Sequence, residues 1–536
     1  MALTVNPYPY QDEAIDDVLE YGNGLIAYEM GLGKTLVGIA TVEELIDDIN
    51  FALIIVPSNL RWQWAQSIAK FTDVDTMKKK VKQDHITIPT KEWCEVINGV
   101  PDTRDRQYER IRTKAPNFVI CSYDHVVNDY TLIEELKPDL IILDEATYIK
   151  GFRAARSQAV KELGKVAEFR VALTGTPMEN NPEELFSIME FVDPDFLGTW
   201  ESFEAKYIVR NKFGVVTRYR NLDVLHRKMQ SIMSRKTRLD PDVAPYMPKV
   251  DHREEYVFLS KKSQKLYDKI AAEVLHDLRI NPPMGTFDLA AYYAGQGGGD
   301  MSATGKIMAK VLAMQMLCDH PDLLKISAQD YVDTEGEKGS AYARSLAEAG
   351  LLDGLGESAK MLAVCEDVDR ILKSHPENKI IIFSFFKDMG HMLQNALEDW
   401  DSVIYNGEMT ASAKTAAKVR FQENPDCRLF IATDAAAFGV DLPEANWLLN
   451  YDLVDSAGKM DQRNARHVRA GSKHENVFVV NYLMDGTVEE RRFARLNFKR
   501  RVARAVVDGK RTDVGGVIEN DVDSLATFLE DMGVTV

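Results

Sequence analysis

Short apolar runs, each followed by a helix-like stretch, constrain this chain more than any other feature. GLIAY (24–28), FALIIV (51–56), NFVICS (117–122), DLIILDE (139–145) and FRVALT (169–174) occupy the first third. KIIIFS (379–384), RLFIAT (428–433), WLLNYD (447–452) and VFVVNYL (477–483) repeat the pattern near the end. Apolar runs of this length suit strands buried on both faces. Strands that alternate with helices require a parallel sheet with crossovers on either side. The chain therefore reads as α/β, with two lobes. From about 199 to 357 strand runs become rare, helical patterns dominate, and turn signals cluster at Asn281-Pro282-Pro283, Gly297-Gly298-Gly299 and Gly350 to Gly356. The expected division is an N-terminal lobe over 1–198, helical insertions and a connection over 199–345, a C-terminal lobe over 346–511 and an acidic tail over 512–536.

The sharpest local signal is GLIAYEMGLGKT (24–35), where a strand runs into Gly31, Gly33, Lys34 and Thr35 and a helix follows. Glycines let backbone amides turn toward phosphate, and a helix N-terminus adds partial positive charge. A lysine at this position reaches the outer phosphates, and the adjacent hydroxyl holds magnesium. The strict pattern wants a further glycine where Tyr28 stands.

IILDEAT (141–147) ends a strand with Asp144 and Glu145. By itself such an ending is often a solvated turn. Behind a phosphate loop in the same lobe, it supplies one carboxylate near the metal and a neighbour that polarises the attacking water. QRNARHVR (462–469) carries Gln462, Arg466 and Arg469, and arginines three apart share a helix face. Such a face is either a basic surface or a set of arginine fingers brought across from the second lobe.

Taken in order, these motifs resemble the helicase superfamily-two ATPases, and most of all the Swi/Snf-type branch of double-stranded DNA translocases. Pro9-Tyr10-Gln11 resembles the Q motif, Glu29-Met30-Gly31-Leu32-Gly33-Lys34-Thr35 that branch's phosphate loop, VPSNLRWQW (56–64) motif Ia and LTGTPMEN (173–180) motif III. Arg235-Lys236-Thr237 through Pro248-Lys249 resembles the brace segment, MLCDHP (316–321) the element before the second lobe, IIIFSFF (380–386) motif IV, ATDAAAFGVDL (432–442) motif V and GTVEE (486–490) the segment after motif VI. The ordered set spans roughly residues 8 to 505. The chain departs from the branch at Tyr28 (usually Asp), at Thr147 (usually His), at Pro7-Tyr8, and in motif V, where Thr433, Asp434, Gly439 and Asp441 follow the general superfamily form.

The resemblance implies two tandem RecA-like lobes that hold ATP and Mg2+ in their cleft. On this reading Met30 to Thr35 bind phosphate, Thr35 and Asp144 hold the metal, and Glu145 activates water. Arg466 and Arg469 act as fingers with Gln462 beside them. Gln11 contacts adenine, Gly439 and Asp441 approach the ribose, and Thr174, Gly175 and Thr176 couple hydrolysis to movement. The implied activity is an ATP-driven motor on nucleic acid, with duplex DNA expected ahead of single-stranded DNA. A strand-separating DNA or RNA helicase is the alternative, and a non-catalytic nucleic-acid-binding module a weaker one. A compact form of bacterial or phage type is expected.

The net charge of -18, from 65 Lys and Arg against 83 Asp and Glu, argues against a phosphate partner unless positive charge is local. It is local. Residues 206–238 hold ten bases and one acid, including Arg210, Arg218, Arg220, Arg235 and Lys236; residues 491–511 hold nine bases and one acid, including Lys499, Arg500 and Arg501. These residues, with Thr433, are the expected nucleic-acid contacts, and Arg104 to Lys114 is a weaker third cluster. The acidic tail from residue 512 is expected to pack on the basic segment before it and restrain binding. Cys94, Cys121, Cys318, Cys365 and Cys427 form no paired spacing, the N-terminus reads as no secretory signal, and no apolar run is long enough to span a bilayer; a cytoplasmic location is expected. His85, His252, His320, His375 and His467 show no ligand spacing, and no GxSxG or HExxH motif occurs.

Overall fold

The computed structural model describes residues 1–81, 84–178, 181–211, 216–280, 303–436, 440–469 and 472–509, together with Leu525, Phe528 and Leu529. The first lobe contains β1 (Asn23–Tyr28), β2 (Ala52–Val56), β3 (Thr76–Val81), β4 (Asp84–Pro89), β5 (Cys94–Val96), β6 (Phe118–Ser122), β7 (Leu140–Asp144), β8 (Phe169–Leu173), β9 (Ile208–Arg210), β10 (Val216–Tyr219) and β11 (Met233–Lys236). Seven of them form one sheet in the order β11-β1-β8-β7-β2-β6-β5. Every neighbouring pair is parallel. Every residue of β2, β6 and β7 is buried, because helices cover both faces. β3–β4 and β9–β10 are separate antiparallel hairpins.

The second sheet comprises β12 (Lys249–Val257), β13 (Ile380–Phe383), β14 (Ser402–Tyr405), β15 (Leu429–Ala432), β16 (Trp447–Asn450) and β17 (Asn476–Met484), in the order β12-β17-β16-β13-β15-β14. It too is parallel throughout.

Three observations bear on the expected division. The first lobe does not end at residue 198, because β11 adds its edge strand alongside β1. The next strand, β12, already belongs to the second sheet. The helices Lys261–Ile280, Ala303–Asp319 and Pro321–Asp333, within the expected insertions and connection, place Tyr267, Ile270, Leu317 and Leu324 in one core with Ile380, Leu449 and Tyr482 of the second sheet. Leu525 and Leu529, from the expected acidic tail, are also buried in that core. Apart from Phe528, which packs against the same core, the tail's remaining residues and the glycine run at 297–299 lie outside the described residues.

Candidate active site between the lobes

Sheet order builds the site. β1, β8 and β7 are neighbours, so their carboxyl ends present three loops side by side, where ligands of parallel α/β sheets bind. β1 leads through Glu29 to the loop Met30–Gly33 and the helix Lys34–Glu44. Gly31 and Gly33 have φ of 87° and 82°, which only glycine takes up without strain. A methyl group on Gly33 would collide with Gln11 Nε2. Gln11 is buried and braces the loop: its Nε2 donates to Leu32 O (2.9 Å), and its Oε1 accepts from Tyr8 N–H (2.8 Å). Lys34 Nζ donates to Tyr28 O at 2.9 Å. Burial pushes the Lys34 ammonium down to about 8, against the attraction of Glu145 and Asp144.

β7 ends at Asp144. Its Oδ2 accepts from the indole of Trp64 (2.7 Å), and its Oδ1 accepts from Glu145 N–H (3.0 Å). Tyr123 OH donates to the Asp144 carbonyl at 2.8 Å. Burial holds the Asp144 carboxyl above its usual range, opposed first by the Trp64 bond and then by Lys34. Glu145 sits at φ 51°, a left-handed turn for a non-glycine residue of the sort concentrated at functional sites. From β8, Gly175 approaches the phosphate loop so closely that a methyl there would lie 2.8 Å from Met30 Cγ and 3.5 Å from Lys34 Nζ. Thr174 is buried and accepts from Thr176 N–H at 3.1 Å.

The second lobe closes over this edge. A methyl on Gly31 would lie 2.6 Å from Val468 O and 3.4 Å from Arg469 Cδ. The arginine motif therefore faces the phosphate loop. Arg466 is buried; its Nε donates to Gln462 O (2.8 Å), and Asp441 lies 3.6 Å from its guanidinium. Arg469 also pairs with Asp441. Burial, with Arg469 beside it, lowers Arg466 to about 10, while Asp441 and Glu145 pull the other way. Burial would raise the Asp441 carboxyl, but Arg469 and Arg466 outweigh it and hold it below its usual range. Asp441, expected at the ribose, thus holds the two arginines because both cations lie within its reach. Gly439, expected beside it, lies outside the described residues. Thr176 Oγ1, Gln462 Oε1 and Arg469 Nε are buried polar atoms without a partner. The Thr176 hydroxyl and the Arg469 Nε–H, added to Lys34, are donors that fit a bound polyphosphate.

Sequence reasoning missed two residues that organise the site. Trp64 is the donor to Asp144; its segment VPSNLRWQW resembles motif Ia, but that resemblance gave the tryptophan no role. Arg463, fully buried, ties the ends of three second-lobe strands together: it donates to Asp434 Oδ1 (2.7 Å) and to Asp452 O (2.9 Å), and it lies over the Phe383 ring. Its position beside Gln462 was legible; its burial was not.

Most of the expected nucleic-acid residues are engaged by other groups of the chain. Arg235 donates to Asp508 (2.9 Å) and Ala27 O (2.7 Å), and Lys236 pairs with Glu13 and Asp242, both at 2.7 Å. Arg210 pairs with Glu204 (2.6 Å), and Arg500 with Asp461 (2.7 Å). Lys499 donates to Asp455 O, and Arg501 lies over Phe498. Arg218 and Arg220 are exposed on and after β10, and Thr433 follows β15. The third cluster is engaged internally: Arg104 with Asp129, Arg110 with Glu95, Arg112 with Glu135.

The model of the SNF2-related domain matches residues 17–323, more than half of the chain, and that of the helicase conserved C-terminal domain matches 363–471. The chain belongs to the SNF2-related family. Among similar proteins is the human DNA excision repair protein ERCC-6-like, 24% identical over 564 residues, covering 95% of this chain and 41% of its own length. Another is the putative ATP-dependent helicase/translocase YwqA of Bacillus subtilis, 24% identical over 498 residues, covering 90% of this chain and 47% of its own. The chain spans less than half the length of either relative. The helicase domain of Pyrococcus furiosus Hef has the same fold, with a TM-score of 0.54 at 15% identity, covering 91% of this chain and 98% of that one.

Proposed function

We propose that this chain is an ATPase that moves along duplex DNA, with hydrolysis confined to the cleft where its two lobes meet. The observation that carries the proposal is the approach of Arg469 and Val468 to Gly31, which brings guanidinium groups of one lobe over the phosphate loop of the other. The phosphate loop and Lys34 bind the triphosphate. Glu145 takes up a proton from water as it attacks the outer phosphorus and the bond to the leaving diphosphate breaks. Arg466 and Arg469 stabilise the charge that spreads over the transferring phosphoryl group. Magnesium fits the Thr35 hydroxyl and the Asp144 carboxylate, and when bound it would neutralise phosphate charge. The Thr174–Thr176 loop, whose Gly175 lies against Met30 and Lys34, would pass the state of the nucleotide onward. A nucleotide that joins the two lobes favours their closed arrangement, and its loss frees them, which is the hinge motion a translocase needs.

DNA is the proposed track because exposed bases occur locally in an acidic chain and because one relative is named for DNA repair and another as a translocase. The reducing cytoplasm is the proposed location, in keeping with five unpaired cysteines. The test is ATP hydrolysis with and without duplex DNA, single-stranded DNA and RNA, alongside triplex displacement and strand unwinding. Duplex-stimulated hydrolysis with triplex displacement and no unwinding is the expected result. Unwinding would replace translocation by strand separation, and nucleic-acid binding without hydrolysis would overturn the motor.

A further inference from the structure

We propose that the outer face of the β3–β4 hairpin is a second contact for the DNA backbone, apart from the cleft. The inference rests on the proposed DNA track. The hairpin lies between the helix Arg61–Phe71 and β5 and belongs to neither large sheet. Its base is closed by Thr90 N–H donating to Asp75 O at 2.8 Å. β4 packs against the helix Arg61–Phe71. The register pairs Met77 with Ile88, Lys78 with Thr87, Lys79 with Ile86 and Lys80 with His85. Successive residues therefore alternate between two faces. Met77, Ile86 and Ile88 turn inward onto the core that holds Trp64 and Ile68.

Thr76, Lys78, Lys80, His85 and Thr87 share the opposite face, and Thr76, Lys78, Lys80 and His85 are exposed. Among the described residues that face carries no carboxylate. Lys78 Nζ donates to Thr87 Oγ1 at 2.7 Å, and among the described residues no acid pairs with Lys78 or Lys80. The basic residues Arg104, Arg110 and Arg112 behave differently, each being held by an acid. A row of ammonium groups and hydroxyls on an extended strand matches the spacing and charge of a sugar–phosphate backbone, which phosphate-binding proteins engage with the same side chains.

Lysines on exposed strand edges also prevent strand pairing between molecules. The two roles predict different results. The experiment compares the full chain with the Lys78→Gln, Lys80→Gln double variant. Binding of a labelled duplex is measured across a salt series, with circular dichroism to check folding. Loss of two phosphate contacts lowers the slope of log affinity against log salt by about 1.8 and weakens binding by about tenfold or more at low salt. An unchanged slope and affinity in a folded variant overturns the proposal, and self-association with an unchanged slope assigns the lysines to edge protection instead. Failure of the unaltered chain to bind duplex DNA overturns the DNA track and this contact together.

Discussion

Replacing Trp64 by Phe tests whether a buried indole sets the behaviour of the site's central carboxylate. Trp64 is 2% exposed and donates to Asp144 Oδ2 at 2.7 Å. Phenylalanine keeps an aromatic ring in the core but removes the donor. The vacated oxygen stays buried, and among the described residues only Glu145 N–H, on the other oxygen, still donates to the group. A hydrogen bond to a charged group contributes about 1.5–3 kcal/mol, and each ~1.4 kcal/mol is a factor of ten. The ionised, correctly turned carboxylate should become about 10- to 100-fold less available, the range seen when a supporting bond to a metal ligand is lost. The measurement is ATPase rate against magnesium concentration at several pH values. Half-maximal magnesium should rise by that factor, with a smaller fall in the rate at saturation. The sign of the pH effect follows from burial, which already raises the Asp144 carboxyl while the Trp64 bond opposes it. Removing the bond raises it further, so the acid limb of activity moves to higher pH. If magnesium dependence and pH profile both superimpose on those of the unaltered chain, and only the thermal midpoint falls, Trp64 is a packing residue and the reasoning fails.

Glu145→Gln should bind nucleotide with near-normal affinity while single-turnover hydrolysis falls by about 10² or more; retained turnover would contradict its role. Arg469→Ala should lower turnover by about 10³ with nucleotide affinity little changed, read by steady-state ATPase beside equilibrium binding; an affinity loss without a rate loss would reassign it to ground-state binding. Lys360→Met would leave Asp319 and Glu489 facing each other in the second lobe's interior, where the ammonium now lies 2.8 Å and 2.5 Å from them. Loss of one partner of a buried ion pair costs about 3–5 kcal/mol, so the urea midpoint should drop sharply; an unmoved midpoint would show the charges neutralised or hydrated.

What the sequence reveals depends on how a residue's role is encoded. Buried parallel strands announce themselves as apolar runs, and each run read from the sequence lies on a strand. β12 did not, because it pairs on one side only and its KVDHREEYV is as polar as an exposed edge requires. β11, with Met233 buried and Arg235 and Lys236 turned to partners, reads as part of a basic cluster. The phosphate loop and the acidic pair were legible because their chemistry is local to a strand end. The roles of Trp64, Arg463 and Asp441 were not, since each is defined by a partner at least eleven residues away in the chain. Basic residues were the least informative. A lysine that binds phosphate and an arginine that locks a helix in place look alike until their neighbours are known.

The last described helix, Val488–Val507, bears on how the lobes move. Its first turns belong to the second lobe, where Arg492 donates to Leu453 O and Gln315 and Leu496 packs on Leu453 and Met460. Its last turns belong to the first lobe, where Val502, Val506 and Val507 are buried with Leu225 and Met229. His226 Nδ1 meets Val506 O at 2.9 Å, and Asp508 pairs with Arg235 at 2.9 Å. Burying three valines contributes about 5 kcal/mol or more, so the detached helix end would be populated at about one part in several thousand. Thermal detachment is therefore a poor route to opening. Arg235 also donates to Ala27 O in β1, the strand that enters the phosphate loop, so the anchor and the nucleotide loop share one strand. The economical motion is rotation of the second lobe about this fixed end, with the Arg469–Gly31 contact as the part that opens and closes.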